Sequence, residues 1–203
     1  PGGALRVTVE LDEAVRRSPE GRDGAAVEVA LSRREGPRVA RAEGMLRDGR
    51  AVVIDVPDAP RDTGDYVLRA RATPAGGGLP YQDIVSVTVA DGRPEALAGG
   101  TLLWRKGPMT GPVFVPTADP RFRRSETLRV ELPVAAAPAS ATARLLDRAG
   151  VATKLAPAVR VEPSAVVADL PLAPLAPGDY VLELEVEIGG TRYQELAAFR
   201  VVP

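Results

Sequence analysis

With 203 residues and a formal charge of −1 from 26 basic and 27 acidic side chains, the chain offers no net field to favour nucleic acid or an acidic membrane surface. It contains no Cys and no His, which excludes disulfides, thiolate nucleophiles, a Ser-His-Asp arrangement and the commonest metal ligand. Asn is absent too, and Lys106 and Lys154 are the only lysines among many arginines, a bias of GC-rich bacterial codon usage.

Taken in order, Leu5-Arg6-Val7-Thr8-Val9-Glu10-Leu11 alternates cleanly and predicts a strand with Leu5, Val7, Val9 and Leu11 inward. Asp12 to Gly24 reads as a polar loop, or one helical turn at Asp12–Arg17. A second strand places Val27, Val29 and Leu31 inward. Arg34-Glu35-Gly36-Pro37 turns the chain into a third strand, Val39 to Leu46. Asp48-Gly49 between two strand-like runs is a strong two-residue hairpin signal. A fourth strand covers Ala51–Val56, a fifth opens at Tyr66, and a sixth alternates Val85, Val87 and Val89 with Ser86 and Thr88. Further strands are expected from Leu128 to Leu132, Ala141 to Leu146, Val151 to Val161, Ala165 to Leu170, Tyr180 to Ile188 and Tyr193 to Val202.

One stretch occurs twice. Residues 51–68 and 165–182 align without a gap at an offset of 165 − 51 = 114, and 12 of the 18 positions are identical. Each copy reads strand, Pro-punctuated turn, strand: Pro removes ladder donors and ends the first strand, and Gly64 or Gly178 lets the backbone turn. In the second copy Tyr180, Leu182, Leu184, Val186 and Ile188 share one face, opposite Val181, Glu183, Glu185 and Glu187. One dry and one wet face are expected of an antiparallel sheet covered on one side. The chain is therefore all-β, two tandem antiparallel β-sandwiches, divided as 1–94 for the first module, 95–127 for a linker and lead-in, and 128–203 for the second. A chain opening on Pro1 is expected to be a piece of something longer.

Catalytic patterns are sparse. No Ser lies in a Gly-x-Ser-x-Gly elbow, and Gly76-Gly77-Gly78 lies between strands rather than before a helix, unlike a phosphate loop. Carboxylates at Asp55, Asp62 and Asp65, or at Asp119, are the available calcium ligands, without the dense spacing of a calcium loop. We expect no enzyme, no catalytic residue, no metal, no cofactor, no small-molecule substrate and no nucleic-acid partner. The unusual segment is Thr101–Thr127, with Trp104, Phe114 and Phe122 beside Arg105, Arg121, Arg123 and Arg124. These seven residues are candidate partner contacts, because Trp and Arg are enriched at interface hot spots. Stacking of Trp104 and its neighbours on a sugar ring is the alternative. The structural reading has the aromatics covering a seam and the arginines guarding a strand edge.

Two parts of the chain resemble known families. Leu175-Ala176-Pro177-Gly178-Asp179-Tyr180 resembles the tyrosine corner of immunoglobulin-like and fibronectin type III-like sandwiches, where a Tyr hydroxyl bonds backbone a few residues upstream. Gly64, Tyr66, Gly178 and Tyr180 are the residues concerned; a Tyr simply packed at a sheet edge is the other reading. The runs Leu103–Gly111 and Val115–Glu131, with Gly178–Leu182 and Phe199–Pro203, resemble the C-terminal region of bacterial von Willebrand factor A-related proteins of acidobacteria-like genomes. That resemblance implies accessory modules of an exported, periplasmic or surface protein, acting as spacer or protein-interaction region within a longer chain. The family's metal-ion-dependent adhesion motif, Asp-x-Ser-x-Ser, is missing from this sequence, so neither its residues nor its metal carry over.

Overall fold

A computed structural model describes residues 5–47, 51–57, 59–60, 62–89, 94–108 and 110–203. Strand accounts for 59% of the chain and helix for 5%, so the all-β class holds. Two compact units divide at Pro94/Glu95, and each closes its own apolar core.

The first unit holds β1 (Leu5–Val9), α1 (Glu13–Arg17), α2 (Pro19–Arg22), β2 (Ala25–Arg33), β3 (Arg38–Leu46), β4 (Val52–Val56), β5 (Gly64–Pro74) and β6 (Tyr81–Val89). The polar stretch expected as a loop or single turn forms two short helices. Asp12 caps the first by accepting from the Ala14 N–H, and Ser18 caps the second by accepting from the Gly21 N–H, each satisfying an orphan donor. Gly24 leads into β2 with φ 92°, and a Cβ there would lie 2.0 Å from the Leu46 carbonyl oxygen. Two sheets result, β1-β4 and β3-β2-β5-β6, all antiparallel. The core contains Val27, Val29, Leu31, Ile54, Val56 and Tyr66.

The expected hairpin between the third and fourth strands does not form a ladder. β3 pairs with β2, and β4 pairs with β1 in the other sheet; the Asp48-Gly49 turn itself lies outside the described residues. The four-residue turn Arg34–Pro37 wins the third strand for β2, because it returns the chain directly alongside its predecessor. A Gly36 N–H to Arg33 carbonyl bond closes that turn at 3.2 Å.

The second unit holds β7 (Leu102–Lys106), β8 (Val115–Pro116), β9 (Arg121–Arg123), β10 (Thr127–Pro133), β11 (Ser140–Asp147), β12 (Ala158–Glu162), β13 (Ala165–Pro171), β14 (Gly178–Ile188) and β15 (Thr191–Val202). Its sheets are ordered β12-β13-β10-β7-β8 and β11-β14-β15-β9. Leaving out β8 and β9, this is the ABED and CFG order of an immunoglobulin constant-type sandwich. All pairs are antiparallel except β15 with β9, which run parallel. The stretch 95–127 is part of this unit rather than a linker ahead of it. Leu97 is 5% exposed and bridges Val134, and β7, β8 and β9 complete both sheets. Apolar alternation on β10, β13 and β14 fills the core with Leu128, Val130, Leu132, Val166, Leu170, Leu182 and Leu184, all fully buried.

Candidate functional sites

The repeated stretch folds the same way twice. Tyr66 donates its hydroxyl to the Asp62 carbonyl at 3.1 Å, and Tyr180 donates to the Ala176 carbonyl at 3.0 Å, each four residues upstream. The surroundings differ. Tyr66 is 1% exposed, its hydroxyl pKa raised by burial and by the bond to Asp62. Arg33 lies 5.7 Å over its ring and forms an ion pair with Asp62. That bond from Arg33 holds the Asp62 carboxyl below the usual carboxylate range. Tyr180 is half-buried and stacks on Phe199 at 5.8 Å. A Cβ built at Gly64 or Gly178 would lie 3.6 or 3.8 Å from the tyrosine ring two residues on, ordinary van der Waals contact, so close approach to the ring does not require glycine at either position.

The aromatic and basic side chains of 101–127 divide between the inside and the outside of the second unit. Phe122 is fully buried and meets Phe199 edge-on at 6.2 Å. Arg105 points the same way, its guanidinium 4.9 Å from the Phe122 centroid. It donates to Thr117 Oγ1 and to the Asp119 and Arg121 carbonyls at 3.2, 3.2 and 2.9 Å. Its Nε lies 3.8 Å from the buried carboxylate of Glu126, which accepts from the Arg123 N–H at 2.7 Å. Arg105 and Glu126 thus fasten the crossover from β7 to β9, where the chain leaves one sheet and joins the other. Arg121 is paired with Asp119, and Arg124 donates to the Ala173 carbonyl at 2.6 Å. The flanking arginines of β9 are exposed on either side of Phe122.

Trp104 and Phe114 belong to the outer face of the five-stranded sheet. Trp104 is half-buried and stands opposite Arg129 in the β7–β10 register. Its indole N–H is buried without an acceptor among the described residues. The Arg129 guanidinium lies 3.7 Å from the Phe114 centroid, and Lys106 Nζ lies 5.1 Å from it. Arg129 is held there by two bonds to Asp169, at 2.7 and 3.0 Å, and Arg160 adds a third at 2.8 Å. Burial raises the Asp169 pKa, but bonds from Arg129 and Arg160 outweigh it and leave the carboxyl below the ordinary value.

This arginine–aspartate pair is the element that reading the sequence missed. Its counterpart exists in the first unit, where Arg6 donates to Asp55 at 2.8 Å across β1 and β4. The signal was present: Leu-Arg-Val occurs in both β1 and β10, and Asp55 and Asp169 occupy one position of the repeat. What was lacking was the register that sets them side by side. The candidate calcium carboxylates are likewise occupied: Asp55 by Arg6, Asp62 by Arg33, Asp65 by Thr88 and Asp119 by Arg121. On the outer face of β14, Glu183 is 6% exposed rather than solvated, because Arg144 and Gln194 fold over it.

No family model and no curated protein matches the chain. Among solved structures, it is similar to an I-band fragment of titin at 12% identity and a TM-score of 0.29, covering 86% of this chain and 55% of that one. A tandem pair of titin immunoglobulin domains matches at 12% identity and a TM-score of 0.27, covering 89% of each chain. Murine CEACAM1b matches at 10% identity and a TM-score of 0.27, covering 99% of this chain and 94% of that one. Scores this low carry no argument; the fold assignment rests on the sheet order and the two tyrosine bonds.

Proposed function

We propose that the chain is a non-catalytic pair of immunoglobulin-like or fibronectin III-like sandwiches. In this reading it serves as a spacer and protein-interaction region of a bacterial exported or surface protein of the von Willebrand factor A-related kind. The observation that supports interaction is the outer face of the second unit. There Arg129 is locked by Asp169 against Phe114, with Trp104 and Lys106 alongside. A pre-ordered Arg–aromatic group loses little side-chain entropy on contact and is the residue class that anchors protein interfaces. The guanidinium already lies over the Phe114 ring, which disfavours that ring as a platform for sugar stacking.

Fractionation of the native bacterium tests the location: the chain is expected in the periplasmic or surface fraction, and a purely cytoplasmic chain would overturn it. Fluorescence of the sole tryptophan, Trp104, is expected to stay constant across a panel of soluble oligosaccharides. A saturable shift would put the carbohydrate-binding reading in its place.

A further inference from the structure

The repeat continues past its tyrosines into β5 and β14, and there the two copies carry opposite charge. Arg69, Arg71 and Thr73 correspond to Glu183, Glu185 and Glu187, at the common offset 183 − 69 = 185 − 71 = 187 − 73 = 114. Leu68 and Ala72 fill the first core, and Leu182, Leu184 and Val186 fill the second. Side chains alternate along a strand, so the six matched residues lie on the outer faces. One backbone frame thus presents a row of guanidiniums in the first unit and a row of carboxylates in the second.

The two rows differ in how far their own unit satisfies them. Arg69 and Arg71 are exposed, and neither has a carboxylate partner among the described residues. Glu28 and Glu43 stand in the same register row as Arg71, but Arg41 engages both, at 2.8 and 2.6 Å. Arg69 stands between Ala30 and Ile84, which offer it no charge. On β14, Glu183 is held by Arg144 and Gln194. Its two neighbours are held loosely. Glu185 meets Arg192 at 3.7 Å, an arginine whose side chain is 74% exposed, and Glu187 accepts from Ser140 Oγ at 3.4 Å. Spare positive charge therefore sits at 69 and 71, and spare negative charge at 185 and 187. Each face also leaves an apolar side chain in water beside its charged row: Ile84 opposite Arg69 is 61% exposed, and Leu196 opposite Glu183 is 57% exposed. A groove of 330 Å³ opens beside Arg71 over Ala26, walled by Met45 and Thr73.

We propose that these two faces bind each other between copies of the chain, the β5 face of one copy taking the β14 face of a second. Like charges two residues apart on one strand repel, and an opposing row of the other sign relieves both. The rows match in spacing, because each places its charges about 7 Å apart, two residues along a strand. A polyanion backbone fits less well, since Glu28 and Glu43 flank Arg71 and the whole chain carries −1. Two β5 faces, or two β14 faces, would bring like charges together, so the contact is heterologous. Burial of Ile84 and Leu196 adds apolar contact, and the charge rows supply the specificity. The contact uses neither Trp104 nor Phe114 and stands apart from the interaction face proposed above.

The test is sedimentation of the full chain over a concentration series at low salt, with two charge-reversed forms. One carries Arg69→Glu with Arg71→Glu, the other Glu185→Arg with Glu187→Arg. The unaltered chain is expected to self-associate, and each reversed chain alone to associate at least tenfold more weakly. An equimolar mixture of the two should regain the association, because the acidic β5 face of one now meets the basic β14 face of the other. The neutral form Arg69→Gln with Arg71→Gln should weaken association by less than the reversal does. A chain that sediments as a monomer up to millimolar concentration overturns the proposal. So does association that either reversed form or the neutral form keeps in full, or a mixture that associates no better than its components.

Discussion

The two units share a turn and a tyrosine and differ in what they do with their third strand. In the first, β3 stays beside β2; in the second, β12 crosses to the opposite sheet and pairs with β13. Both begin as hairpins, since Leu146 bridges Ala152 after the Asp147–Gly150 turn. They diverge beyond that point. β3 runs nine residues from Arg38 to Leu46 with no proline. After Ala152 the second unit packs Leu155 against its core and meets Pro157, which cannot donate to a ladder. The chain is released from β11 and caught by the tight Pro163-Ser164 connection between β12 and β13. A few turn residues decide which sheet a strand joins, while the alternating pattern decides only that it is a strand.

The largest test of the contrast is Phe122→Ala. Removing a fully buried ring that packs edge-on against Phe199 should cost about 3–5 kcal/mol. Amide exchange should show the loss in the second unit alone. Next is the matched pair Leu132 on β10 and Val9 on β1. Leu132→Ala should cost about 2–5 kcal/mol as a full core cavity, and Val9→Ala roughly 1 kcal/mol, because Val9 is smaller and only partly buried. Equal costs would refute the contrast in burial between the two strands.

Tyr66→Phe and Tyr180→Phe each delete one hydrogen bond, worth about 1 kcal/mol. The Tyr66 change should be the larger, since Tyr66 is fully buried and Tyr180 only partly so; unchanged melting for both would remove the tyrosine bonds from the account. The smallest effect concerns the repeated ion pair. Side-chain exposures of 25% and 17% at Arg129–Asp169, against 37% and 57% at Arg6–Asp55, place the former in the less screened setting. Asp169→Ala should cost about 1 kcal/mol and Asp55→Ala a few tenths. The Asp169 pKa is depressed on folding, so its contribution is present above the ordinary aspartate value of 3.8 and is lost as pH falls through the lower folded value. Acid titration of the second unit should flatten in Asp169→Asn.

The repeat, the strand faces and the position of both tyrosines were readable from residues alone, because alternation and Pro-Gly punctuation are local properties. Leu182, Leu184, Val186 and Ile188 pack inward as their spacing dictates. The Asp48-Gly49 turn lies outside the described residues, but its flanking strands β3 and β4 join different sheets for a non-local reason: two strands in succession need not share one. The segment from 95 to 127 was equally opaque, since the places of Phe122, Arg105 and Trp104 depend on a crossover that no period announces.

By itself the sequence determined the number of modules, their all-β class and which side of each strand is apolar, all set within a few neighbouring residues. Only the tertiary structure decided strand partners, the Arg129–Asp169 clamp on Phe114, and the crossover that carries Phe122 into the core. Those depend on which distant segments meet.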